Sequence, residues 1–203
     1  MKRYINKIMC ALAVAFGMTT LTACSDDEWG NDNPEYKNVF IVAFDDWGPK
    51  SNNDMTYSVS QGSQVEIPVR LWCEGTRNFN ADANIYVDSQ LTLGTDYQIV
   101  DANGSALQQN GNGGFTLTWD LKSPDTTDNH RVQNIYLKAL NGAKGDVTVM
   151  TFDPKDVDAD GKLRISNGGT KDDDTQYYVP NHATSDYEVR CITVNYKVQV
   201  TIE

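Results

Sequence analysis

The chain is 203 residues long and carries 28 acidic against 17 basic side chains, a formal net charge of −11. Such an excess of carboxylates excludes a backbone-binding role on nucleic acid, which needs lysine and arginine clusters, and excludes adhesion to an anionic bilayer by charge alone. The length suits one domain with a sizeable core.

Lys2, Arg3 and Lys7 make a basic start, followed by an apolar run from Ile8 to Met18 that Gly17 interrupts. A bilayer span needs about twenty apolar residues, and this run is too short. It leads into Leu21-Thr22-Ala23-Cys24, which resembles the lipobox of bacterial lipoproteins. The resemblance implies that residues 1–23 are a signal peptide, cut before Cys24, and that Cys24 carries the lipid. Immediately after it, Ser25-Asp26-Asp27-Glu28 resembles the acidic export tag of Bacteroidota lipoproteins, and implies display on the outer face of the outer membrane. The alternative for these four residues is a solvated linker. Loss of the three basic residues would take the net charge from −11 to about −14, which suits an extracellular domain or one that holds a cation with carboxylates. Residues 24–35 are polar and rich in turn formers, and read as a lipidated acidic tether.

From Tyr36 onward the pattern predicts strand after strand. Val39 to Phe44 is an apolar run, and Met55 to Ser60 and Val65 to Cys73 alternate in period two. Ala83 to Val87, Tyr97 to Val100, Phe115 to Trp119, Val132 to Leu140 and Val147 to Phe152 follow, with turn signals between them such as Asn103-Gly104 and Asn110 to Gly114. Phe115, Leu117 and Trp119 share one parity and read as core. The chain ends in Tyr187 to Ile202, a β-branched stretch that fits one bent strand or two. No segment combines a helical period with caps at both ends. Roughly eight to ten short strands with regular turns predict an all-β fold, an antiparallel immunoglobulin-like sandwich over residues 36–203, with a long insertion at 153–186. Pro68 lies mid-strand and cannot donate to a ladder, which predicts an edge strand or a bulge there.

Two cysteines, Cys73 and Cys191, lie within the domain. Cys73 shares parity with Val65, Ile67, Val69 and Leu71 and is expected in the core. Cys191 has the opposite parity to Ile192, Val194, Val198 and Val200, so a simple strand would turn it outward unless a bulge near Asn195 shifts the register. Two buried, unpaired thiols are the favoured reading, with a disulfide as the alternative.

Gly62 to Arg70 (GSQVEIPVR) and Leu93-Gly94-Thr95-Asp96-Tyr97 resemble the Calx-beta type of immunoglobulin-like domain over roughly residues 55–152. Domains of this type occur in Bacteroidota surface lipoproteins, often beside outer-membrane glycan importers. In this chain Asp96 is expected to cap its own turn and Tyr97 to start the next strand from a buried bed.

Three groups of residues are candidates for chemistry. Asp156, Asp158 and Asp160 with Gly161 have the spacing of a calcium loop, hard oxygens at positions 1, 3 and 5 and a glycine for the sharp turn. Position 12 is Asn167, which lacks the bidentate grip such loops use, so calcium of extracellular grade and a solvated acidic turn both stand open. Trp72, Tyr86 and Tyr136 have parity opposite to core-facing neighbours, and would form an exposed platform for sugar rings if the register aligns them. The alternative is that the 153–186 segment or a partner covers them. Trp47 is a further loop aromatic. Catalysis has little footing: His130 and His182 lack metal-ligand spacing, and no nucleophile elbow, phosphate loop or dinucleotide fingerprint is present. The sequence therefore reads as a non-catalytic surface lipoprotein binding extracellular glycan as an accessory to an importer. The alternative is a structural or adhesive module binding protein partners, stiffened by calcium.

Overall fold

Alternation dictates the first layer of the fold. Strand β3 (Gln64–Trp72) turns Ile67, Val69 and Leu71 inward, all fully buried, and leaves Gln64, Glu66 and Trp72 exposed on its other face. Its neighbours are β1 (Val39–Phe44) and β7 (His130–Ala139), whose Phe40, Val42, Phe44, Ile135 and Leu137 fill the same layer. The computed structural model describes residues 37–45, 55–73, 75–123, 130–140, 142–156, 178–192 and 195–203.

The remaining strands are β2 (Met55–Val59), β4 (Asn80–Ser89), β5 (Tyr97–Val100), β6 (Phe115–Asp120), β8 (Gly145–Met150), β9 (Tyr178–Ala183), β10 (Glu188–Ile192) and β11 (Lys197–Ile202). They form a six-stranded sheet in the order β5-β7-β3-β1-β10-β9 and a five-stranded sheet in the order β2-β11-β8-β4-β6. The inner faces meet in one core, to which the second sheet contributes Ile85, Phe115, Val147, Val149, Val200 and Ile202. Residues Asn38–Glu203 cluster as one compact unit. The all-β sandwich predicted from periodicity is the fold.

Details differ from the expectation. Eleven strands are present among the described residues, and both sheets are mixed, because β1 runs parallel to β10 and β11 runs parallel to β2. The C-terminal stretch is the cause. It is two strands, one in each sheet, and Asn195 between them takes a positive φ of 52°. Parallel pairing needs a long connection, and these late strands return to partners laid down far earlier in the chain. The same corner places Cys191 in β10, facing inward, so the parity argument based on a single strand does not apply. Cys73 and Cys191 are both buried, with no disulfide between them.

Part of the segment read as an insertion belongs to the sandwich. Pro154–Asp156 is a short 3-10 turn, β9 is the edge strand of the six-stranded sheet, and residues 157–177 lie outside the described residues. Pro68 is a correction of another kind, for β3 is an interior strand. The ladder with β1 ends at Val69–Phe44, and the bond alternation points residue 68 toward β1 rather than β7. The missing donor therefore falls on the last rung beside β1, where one of the two bonds survives, the Pro68 carbonyl accepting from Asp45 N at 2.9 Å.

The Leu93–Tyr97 step has the structural use expected of it. Asp96 Oδ2 accepts from Thr92 N at 2.7 Å, Gly94 sits at φ 83°, and Tyr97 is buried at the start of β5. Burial, with the charges of Asp88 and Asp96 adding, pushes the Tyr97 phenol up to about 12 from its ordinary 10.0.

Candidate functional site

The three-ring platform does not assemble. Trp72 and Tyr136 share the outer face of the six-stranded sheet, but Trp72 lies opposite His130 and Tyr136 opposite Glu66. Six residues along a strand separate them by roughly 20 Å. The Tyr136 hydroxyl donates to Glu66 Oε2 at 2.9 Å, and this bond to a carboxylate raises its pKa above the ordinary range. Tyr86 is in the other sheet and is buried. Its ring lies so close to Gly114 that a Cβ there would come within 2.9 Å of Cε1. Burial first, then Asp153 and Asp156, raises the Tyr86 pKa. The Asn110–Gly114 turn and the start of the 153–186 segment thus cover this ring, and no sugar reaches it.

Trp72 remains, and it is not isolated. Among the described residues the large hydrophobics left exposed are Trp72 and Val132. Val132 pairs with Arg70, two residues from Trp72, so the two are diagonal neighbours across β3 and β7, roughly 7–8 Å apart. Strand β1 flanks this surface on the other side and is apolar on both faces: Phe40, Val42 and Phe44 point inward, Val39 and Ile41 lie half-buried on the opposite face, and Ala43 on that face is already buried. A sheet with one solvated face normally alternates with polar residues, so apolar residues on both faces mark a strand built to be covered. Arg70, on the same face of β3, is itself buried. Its guanidinium lies 3.2 Å from Asp45 Oδ1 and 5.6 Å from the centroid of the Trp72 ring, fixing the indole. Glu188 and Arg190 form a charged margin, their ion pair closing at 2.8 Å.

Sequence reasoning missed a second constellation. Strand β4 pairs with β8 only through Tyr86–Ser89, which leaves the backbone of Asp82 and Asn84 without a strand on that side. Side chains from the β9–β10 hairpin take its place. Asn181 falls at a bulge, where Val189 pairs with His182 and Arg190 with Pro180, so its side chain is re-aimed toward β4. Its Oδ1 accepts from Asn84 N at 2.7 Å, and its Nδ2 donates to Asn84 O at 2.7 Å and to Thr151 O at 2.6 Å. One residue pair along, the Tyr187 hydroxyl accepts from Asp82 N at 2.9 Å. Tyr187 also stacks on Phe79, ring centroids 5.3 Å apart and planes 11° from parallel, with Phe40 and His182 alongside at 6.0 and 5.9 Å. A lone asparagine in an irregular polar stretch gives no periodic signal, and this one was unreadable.

Asp156 ends the 3-10 turn, while Asp158 and Asp160 lie outside the described residues, as do Cys24, Ser25, Asp26, Asp27, Glu28 and Trp47. No group of three metal-ligating side chains comes together among the described residues. No helix among them is long and apolar enough to cross a membrane.

No family model matches the chain, and no curated protein matches it. Among solved structures, a complex of CaDoc0917 with CaCohA2 aligns at 12% identity, covering 81% of this chain and 99% of that one, with a TM-score of 0.36. The third ScaB cohesin of R. flavefaciens, in complex with a group 1 dockerin, aligns at 15% identity over 80% and 95% with a TM-score of 0.34. A structure of AvmM, which catalyses macrocyclization in alchivemycin A biosynthesis, aligns at 10% identity over 81% and 90% with a TM-score of 0.30. These likenesses are too loose to carry an argument about function.

Proposed function

We propose that this chain is a non-catalytic binding protein that docks a protein partner on the outer face of its six-stranded sheet. The observation that carries this reading is the Trp72–Val132 pair, apolar and exposed, beside a strand that is apolar on both faces. Tryptophan and arginine are the residue types that most often anchor protein interfaces, and here the one holds the other in place. An acidic chain favours a partner with basic groups around a complementary apolar side chain. Lipidation at Cys24 and export through Ser25, Asp26, Asp27 and Glu28 belong to the same proposal, placing the domain on the outer membrane surface. Calcium held by Asp156, Asp158 and Asp160 would stiffen it; a melt that chelator leaves unchanged disposes of that part.

Site-specific photo-crosslinking tests the docking face. A crosslinker at Val132 should trap a partner that one at Thr116, exposed on β6, does not, and Trp72→Ala should weaken that partner's affinity by at least about tenfold. Equal trapping at both positions, or affinity indifferent to Trp72→Ala, overturns the reading. Glycan capture on Trp72, Tyr86 and Tyr136 loses its support with the burial of Tyr86.

A further inference from the structure

One end of the sandwich carries a groove of about 490 Å³ lined by Asn38, Asn78, Phe79, Ser185 and Asp186. It is assembled from the residues before β1, the loop between β3 and β4, and the turn between β9 and β10. We propose that this groove is a subsite for a neutral saccharide. The proposal goes beyond the docking face and does not rest on it.

The groove combines the two things a sugar ring requires, an apolar surface for its C–H groups and a few fixed polar groups for its hydroxyls. Phe79 supplies the first. Its ring is held by the Tyr187 ring stacked against it and by Phe40 at 6.3 Å, so it meets a ligand without losing side-chain freedom. Asn78, Ser185 and Asp186 supply the second, and all three are exposed. A carboxylate accepts from neighbouring hydroxyls, a carboxamide both donates and accepts, and a hydroxyl does either.

The walls are tied to one another before any ligand arrives. Asn38 Nδ2 donates to Asp186 O at 2.9 Å, and Asn38 Oδ1 accepts from Arg77 Nε at 3.2 Å, joining all three segments through one side chain. Glu188 N donates to Asn38 O at 2.9 Å, and Arg77 N donates to Leu121 O at 2.8 Å. Thr184 Oγ1 accepts from the backbone of Asp186 and Tyr187 at 3.1 and 3.2 Å, fixing the turn that presents Ser185 and Asp186. The backbone that carries Ser185 and Asp186 is thus held in place before a ligand arrives, which lowers the ordering cost of binding. The carboxylate of Asp186 and the acidity of the chain disfavour anionic ligands, which selects neutral sugars over acidic ones.

The test is heteronuclear NMR of the full-length chain titrated with cellotetraose, maltotetraose, mannotetraose and xylotetraose, with polygalacturonate as the acidic control. One neutral sugar should give saturable shifts at Asn78, Phe79, Ser185 and Asp186. Asp186→Asn, an exposed replacement of equal size, should weaken that binding at least about tenfold while leaving Tm unchanged. Asn78→Ala should weaken it less. Phe79→Ala should abolish it, and Asp186→Asn keeps the test sound should that variant unfold. Silence toward every sugar, shifts confined to Trp72 and Val132, or binding that survives Asp186→Asn overturns the proposal. Failure at the docking face would show only in the crosslinking, so the two readings fail separately.

Discussion

Two margins of the sandwich meet the same problem and solve it differently. Along β4 the backbone of Asp82 and Asn84 is paired with β6 but lies beyond the β8 ladder on its other side, and there Tyr187 and Asn181 close it with side chains standing in for a strand. Across β3 and β7 the backbone is paired, but Trp72 and Val132 stay partly exposed. The first margin satisfies its polar groups within the chain, as burial requires. The second leaves apolar groups to water, which costs little while the chain is alone and is recovered when another surface arrives. Internal closure marks architecture, and an unclosed apolar pair marks association.

Substitutions can break this contrast from either side. Asn181→Ala removes three buried bonds and strands Asn84 N, Asn84 O and Thr151 O, so urea denaturation should show a loss of about 3–5 kcal/mol. A loss below about 1 kcal/mol would mean that water replaces the amide, and that the margin is not closed. Alkali probes the strand beside the open face. The Tyr97 phenol is raised in the fold to about 12, so the protonated form is favoured there: stability is full below pH 10 and is lost as pH rises through 12. Wild type should lose roughly 2–3 kcal/mol more than Tyr97→Phe across that window, read by denaturation at stepped pH. Tyr187→Phe keeps the stack on Phe79 and deletes only the acceptor for Asp82 N, a loss of about 1 kcal/mol. Val132→Ser, on the open face, should stay within about 0.5 kcal/mol of wild type. A large loss at Val132 would show that the chain itself depends on this face.

The sandwich was legible because a core-facing strand writes its alternation plainly. Ile67, Val69 and Leu71 are the clearest case, and Phe115, Leu117 and Trp119 another. The site was legible only in part. Parity identifies which face of a strand a side chain takes, and it separates Trp72 and Tyr136 from the core-facing Leu71 and Ile135. It does not say which strands are neighbours or what lies over them, so it could not place Tyr86 in the other sheet beneath Gly114, or separate Trp72 from Tyr136 by six residues of register. Strand β9 escaped notice because Pro180 and Asn181 spoil its period, and the bulge that hides it from periodicity is what aims Asn181 at β4.

The parallel pairing of β11 with β2 bears on when the molecule can form. Among the described residues, β2 has no sheet neighbour other than β11, and β1 is joined to β9 through β10. A ribosome that has made every strand up to β9 has therefore released a chain whose second strand has nothing to pair with. Contacts between such distant stretches are slow to form, because most of the chain must be threaded into one loop before they yield anything. Completion of the sandwich waits on the synthesis of Lys197–Ile202, and until then the polypeptide stays open.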